Sequence, residues 1–205
     1  MTRFAVLTCL VCAPAWLFAR APQRAAGRAA VPKVSTAVKC AADLGLGVKS
    51  GRRFCDVIIA GTAADSIAVT IPAHRGVAKL YFDLHNRFAL PPDAAPPAQI
   101  FTRNSAIVAV VGPKAEIGRG ASVSEFRTGA DLFDRIAGGG TGGVKSVGPG
   151  PATPIEMTIP AGSSAVGIIG VRLEVLTRLG KQTYDTPGRP VAIVSNLRVE
   201  YTALR

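Results

Sequence analysis

Asp83 and His85 stand two residues apart in the run Ala78-Lys79-Leu80-Tyr81-Phe82-Asp83-Leu84-His85, and Arg87 follows at the same spacing. A carboxylate and an imidazole on one strand face can share a metal ion. The longer row of Lys79, Tyr81, Asp83, His85 and Arg87, with side chains about 7 Å apart, can hydrogen-bond the hydroxyls of a polymer. Tyr81 would add a ring for stacking. The ordinary counterpart is a solvated outer face with cross-strand ion pairs, since antiparallel sheets commonly wet one side. Zinc takes three or four protein ligands, and no third partner for Asp83 and His85 stands out. Calcium takes an oxygen-rich loop, and the chain has no D-x-D-x-D-G run. No metal and no cofactor is expected.

Catalytic patterns are incomplete. The phrase nearest to a G-x-S-x-G nucleophile elbow, Gly120-Ala-Ser122-Val-Ser124, lacks its second glycine. His74 and His85 are the two histidines, and His74, after Pro72-Ala73, reads as a solvated turn residue. The glycines of 138–143 have phosphate-loop spacing, but Val144 intervenes before Lys145-Ser146 and displaces the lysine from the cradle. Asp83, Glu125 and Glu200 fall on strand patterns and could pair for glycoside hydrolysis. Thirteen acids allow too many such pairs to select one, and Glu125, which precedes Phe126-Arg127, suits a cross-strand ion pair equally well. No catalytic residue is assigned.

These side chains need a scaffold, and the pattern after Cys40 supplies one. Short apolar runs recur every ten residues or so between Gly, Pro, Asp and Ser clusters, the spacing of an all-β sandwich. The even positions 78–84 are apolar and the odd ones polar or amphipathic, which a helix could not separate. Ile67, Val69 and Ile71 alternate likewise, as do Ile155, Met157 and Ile159. Near the C-terminus Val191, Ile193, Leu197, Val199 and Tyr201 are read as one face, opposite Asn196, Arg198 and Glu200. Further strands are expected at 54–60, 100–111, 121–127 and 166–177, the last bent near Gly170. One short helix is expected where Thr128 and Asp131 make a start signal, with Leu132, Phe133 and Ile136 as its stripe. The fold class is therefore a single jelly-roll-like β-sandwich of eight to ten mostly antiparallel strands over 39–205. Residues 28–38 read as a flexible lead-in, and 89–98 and 138–154 as long loops.

The phrase Ile67-Ala-Val-Thr-Ile-Pro-Ala73 is echoed by Ile155-Glu-Met-Thr-Ile-Pro-Ala161. Either two related halves each give a hairpin to facing sheets, or two unrelated strands end in similar Pro turns. The phrase resembles strand ends in secreted bacterial β-sandwich modules and covers seven residues per copy.

Compartment follows from the first 27 residues. Arg3, an apolar run over 4–18 and small residues at Ala19-Arg20-Ala21 or Ala25-Ala26-Gly27 have the layout of a secretory signal peptide. That run is shorter than the ~20 apolar residues of a membrane span, so no transmembrane segment is expected after its removal. Cys40 and Cys55, an even pair in an oxidising compartment, read as a disulfide. Net charge is +11, and without Arg3, Arg20, Arg24 and Arg28 the balance is 20 basic to 13 acidic residues. No nucleic-acid-binding motif accompanies this charge. A periplasmic or extracellular, non-catalytic binding or structural module for a surface polysaccharide or protein partner is the leading expectation. A glycan-directed hydrolase with unassigned carboxylates is second, and a metal or small-ligand carrier using Asp83 and His85 is third.

Overall fold

The structure, a computed structural model, describes residues 31–60, 65–88, 101–127, 129–136 and 145–204. Residues 1–27, the expected signal, and the loop expected at 89–98 lie outside them. The strands are β1 (Lys33–Ser35), β2 (Val38–Lys39), β3 (Asp43–Leu46), β4 (Arg53–Ile58), β5 (Ile67–Thr70), β6 (His74–Phe88) and β7 (Thr102–Val111). They continue as β8 (Glu116–Phe126), β9 (Leu132–Ile136), β10 (Lys145–Pro149), β11 (Thr153–Ile159), β12 (Ala165–Thr177), β13 (Gly180–Tyr184) and β14 (Pro190–Ala203).

Two antiparallel sheets face each other, as the alternation predicts. In the first, β14 and β6 form the centre; β4 and β1 flank β14, and β11 and β10 flank β6. The second runs β2-β5-β12-β7-β8, with β13 hairpinned onto β12. Ala78, Leu80, Phe82 and Leu84 of β6 are buried between the sheets, in one cluster with Val108, Val110 and Ile168 from the second. β-Branched residues dominate because they fit a pleated, packed surface.

The main expected strands are present, and short ones bring the described total to fourteen rather than eight to ten. Part of the expected flexible lead-in is paired: Val34 lies opposite Glu200 and Val38 opposite Val69. Both sheets had an open edge there, and pairing satisfies backbone groups that would otherwise face it.

The expected helix is a second difference. A 3-10 turn covers Gly129–Asp131, and Leu132, Phe133 and Ile136 then lie on strand β9, paired with β10. Asp131 takes the Arg127 N–H at 2.7 Å and so closes a turn instead of starting a helix. The pentapeptide Leu-Phe-Asp-Arg-Ile fits either period, and the ladder with β10 decides it.

The C-terminal strand differs in phase. Val191, Ala192 and Val194 belong to the main core and Ile193 to a separate cluster, and Val199 is again in the main core, so Val191 and Val199 are placed as expected and Ile193 is not. Ser195 pairs with Asp83 and Arg198 with Tyr81, so β14 carries one extra residue at a bulge. Asn196 sits in that bulge at φ 54°, the one non-glycine residue with positive φ among those described. Asparagine tolerates this left-handed conformation better than most residues.

The echoed phrases become β5 and β11, each followed by a strand in the opposite sheet, so neither opens a hairpin. Their pairing is exchanged. β5 pairs with β12, which follows β11, and β11 pairs with β6, which follows β5. The bend expected near Gly170 is a register shift between Gly170 and Arg172. His74, expected in a wet turn, is instead buried at the start of β6 and contacts the Pro72 carbonyl at 2.9 Å.

Candidate functional site

The odd residues of β6 leave the core and divide into two environments. Lys79 and Tyr81 occupy open sheet. Lys79 Nζ lies 2.6 Å from Glu156 of β11, and this partner raises the lysine pKa. Arg198 of β14, directly opposite Tyr81, stacks on its ring at 4.5 Å.

Further along, the row goes under cover. His85 is only 3% exposed, although an outer-face position was expected to be wet. A small second core lies on this side of the sheet, made of Leu44, Phe54, Ile136, Val147 and Ile193, with Phe133 against it. The His85 ring is 4.6 Å from the Phe133 ring and 5.5 Å from that of Phe54. Burial pushes its pKa down to about 4, so the imidazole is neutral at pH 7. His85 Nε2 and Ser195 Oγ are 2.9 Å apart. Ser195 is fully buried, and His85 Nδ1 meets no carboxylate. The pair therefore lacks both the access and the orienting acid of a nucleophile–base couple.

Asp134 of β9 ties down the turn at Lys49 and Ser50 beside this cluster. Burial alone would raise its pKa, but the Ser50 side chain and the N–H groups of Lys49, Ser50 and Arg135 outweigh that and set it at about 2. Gly47 leaves room for this arrangement: a Cβ there would strike the Asp134 carboxylate and come within 2.6 Å of the Phe54 ring.

Asp83 marks the border between open and covered sheet. Arg52 Nη1 donates to its carboxylate at 2.6 Å, Asn196 Nδ2 lies 3.5 Å away, and the Arg52 guanidinium sits 5.6 Å above the Phe133 ring. Next to this group opens a cleft of about 640 Å³. One wall is the segment carrying Val38, Lys39 and Cys40; another is Asp43, Arg52, Arg53 and Cys55; Asn196 and Leu197 close it. The Cys40–Cys55 disulfide, with Cα atoms 5.7 Å apart, ties the first wall to the second. Arg53 and Asp43 pair across the rim, which lowers the Asp43 pKa. Lys39 has no carboxylate partner among the described residues.

The five residues expected to form one binding row are thus divided: Lys79 and Tyr81 on open sheet, Asp83 at the cleft, His85 buried, and Arg87 Nε 3.3 Å from Asp56 Oδ1. The other acids considered for hydrolysis also have arginine neighbours, Glu125 with Arg127 at 3.1 Å and Glu200 with Arg198 at 3.7 Å. Arg52 and Ser195 were not singled out in the sequence, and Asn196 was read only as an outward residue of the last strand. The Ser-Asn-Leu-Arg break in the last alternation was the signal for Asn196; nothing local marks Arg52. No protein-family model matches the chain, and no curated protein or solved structure matches it.

Proposed function

We propose that the protein is an exported, non-catalytic binding module that engages a cell-surface glycan through the cleft beside Asp83 and the adjoining Tyr81 face. The observation that carries this reading is the convergence of donors and acceptors at one rigid opening. Arg52, Lys39 and the Asn196 amide are donors and Asp43 an acceptor around about 640 Å³, with Asp83 beside the cleft on Arg52 and Asn196. Sugar hydroxyls need both kinds of partner, and Tyr81 lies one register step away on the same face. The disulfide and the left-handed Asn196 fix the walls before any ligand arrives, which reduces the ordering cost of binding. The disulfide and the N-terminal apolar run support export.

Retention of the purified protein on insoluble cell-wall polysaccharide tests the reading. Asn196→Gly keeps the backbone conformation and removes the amide, and Tyr81→Ala removes the ring. Each is expected to lower retention by about tenfold, the loss of one good polar or stacking contact. Retention equal to that of the unaltered protein in both variants would remove this cleft from consideration.

A further inference from the structure

A second opening lies at the far end of β6, away from Asp83. It encloses about 720 Å³, and its walls include Arg87, Thr183, Tyr184, Thr186 and Arg189. The turn between β13 and β14 that shapes it is pinned to the β4 end: Gly188 N–H donates to the Ile59 carbonyl at 2.8 Å, and Ile59 N–H donates to the Arg189 carbonyl at 2.8 Å. Pro187 and Pro190 bracket the turn and fix its φ angles. The turn is thus built before binding.

Its two arginines differ. Arg87 reaches Asp56, which is nearly buried, so that charge is balanced. Arg189 has no carboxylate partner among the described residues, and its guanidinium lies 3.8 Å from the centroid of the Tyr184 ring. Stacking occupies a guanidinium's face and leaves its N–H fork free in the plane, the geometry that takes a carboxylate with two parallel hydrogen bonds. Thr183 and Thr186 add hydroxyls that both donate and accept.

We infer that this end of the sandwich binds the carboxylate-bearing sugars of an acidic polysaccharide, with Arg189 on the carboxylate and the two threonines on ring hydroxyls. A uronate presents both groups on one ring. The surplus of basic residues would draw such a polyanion in from a distance. The inference rests on the proposed glycan-binding reading for the class of polymer, but it uses no residue of the Asp83 cleft.

Calorimetric titration of the full chain with oligogalacturonate tests it, alongside a neutral maltooligosaccharide of equal length, inorganic phosphate and poly-glutamate. Oligogalacturonate is expected to bind more tightly than the other three and to weaken with added salt. Its affinity should fall about tenfold or more in Arg189→Ala, as a bidentate charged contact is lost. Arg189→Gln keeps the length of the side chain and serves if the alanine variant does not fold. Arg119→Ala, which removes an exposed arginine paired with Glu116 on β8, should leave oligogalacturonate binding unchanged. Equal affinity for the neutral sugar, or full affinity for oligogalacturonate in a folded Arg189 variant, would overturn the site. Tighter binding of poly-glutamate would reassign it to an acidic peptide, and binding of phosphate alone would reduce it to a simple anion site. A loss confined to Asn196→Gly would move the acidic sugar to the Asp83 cleft and leave only the broader proposal standing.

Discussion

His85 shows how neighbours from distant segments change what a side chain is for. It sits on the outward set of β6, yet Phe54 and Phe133 close over it, and its Nε2 meets Ser195 Oγ. Its native pKa is near 4 against 6.5 unfolded. Between these values the unfolded chain holds a proton that the native state excludes, so stability is complete above pH 6.5 and declines as pH falls toward 4. The full effect is about 3 kcal/mol, at 1.36 kcal/mol per unit. Asp83 and Asp134 pull the pKa upward and Arg52 downward, each less than burial does. Urea denaturation at pH 7 and pH 4.5 should show this decline, and His85→Leu should flatten it; an unchanged slope in that variant would assign the effect elsewhere. Asp134 adds a separate loss at lower pH, from its unfolded value of 3.8 down to about 2. The alternation in the sequence correctly placed Lys79, Tyr81, Asp83, His85 and Arg87 on one face. It could not reveal the lid, because Phe54 and Phe133 come from segments 31 and 48 residues distant from His85 in the chain.

Among the elements, those with long and clean alternation were legible, and those set by a partner were not. β6, β7 and β12 follow from their own residues. β9 is a strand because β10 lies beside it, and β1 and β2 are ordered because β14 and β5 offer open edges. β14 was read in one phase, and the bulge at Asn196 breaks it: Ser195 keeps the face of Ile193 and reaches His85, while Asn196 comes to the cleft. β12 carries a comparable constraint at Gly170, the point where it forms a parallel bridge with Ile59. A Cβ on Gly170 would meet the Ile59 nitrogen at 2.9 Å and Val191 Cγ2 at 2.5 Å. Backbone cannot step aside as a flexible side chain does, so Gly170→Ala should cost about 2–3 kcal/mol. Gly112→Ala, whose nearest neighbour would be the end of Ile117 at 3.4 Å, should be close to neutral. Equal urea midpoints for the two variants would show that the sheets do not touch closely at Gly170.

At the scale of the molecule, the sandwich class was readable because both inner faces are written with a period of two, while the exchange of β5 and β11 was not, since the repeated phrase fixes a strand but no partner. The disulfide was legible from two cysteines and an expected oxidising compartment, and it spans a sequence separation of 15. Closing a loop of that size stabilises by about 3 kcal/mol in the chain-entropy model. Cys40→Ala combined with Cys55→Ala should lower stability by that amount and loosen the cleft wall; a double variant as stable as its parent would show that β2 and β3 hold the wall unaided. The most far-reaching arrangement is that of β14, which takes its place between β6 on one side and β4 and β1 on the other. A chain emerging from its N-terminus, whether from a ribosome or through a translocon, presents β1, β4 and β6 with the space between them vacant. The keystone follows all three in the chain, so the ladders that join β1, β4 and β6 through it can close only once residues 190–203 have emerged.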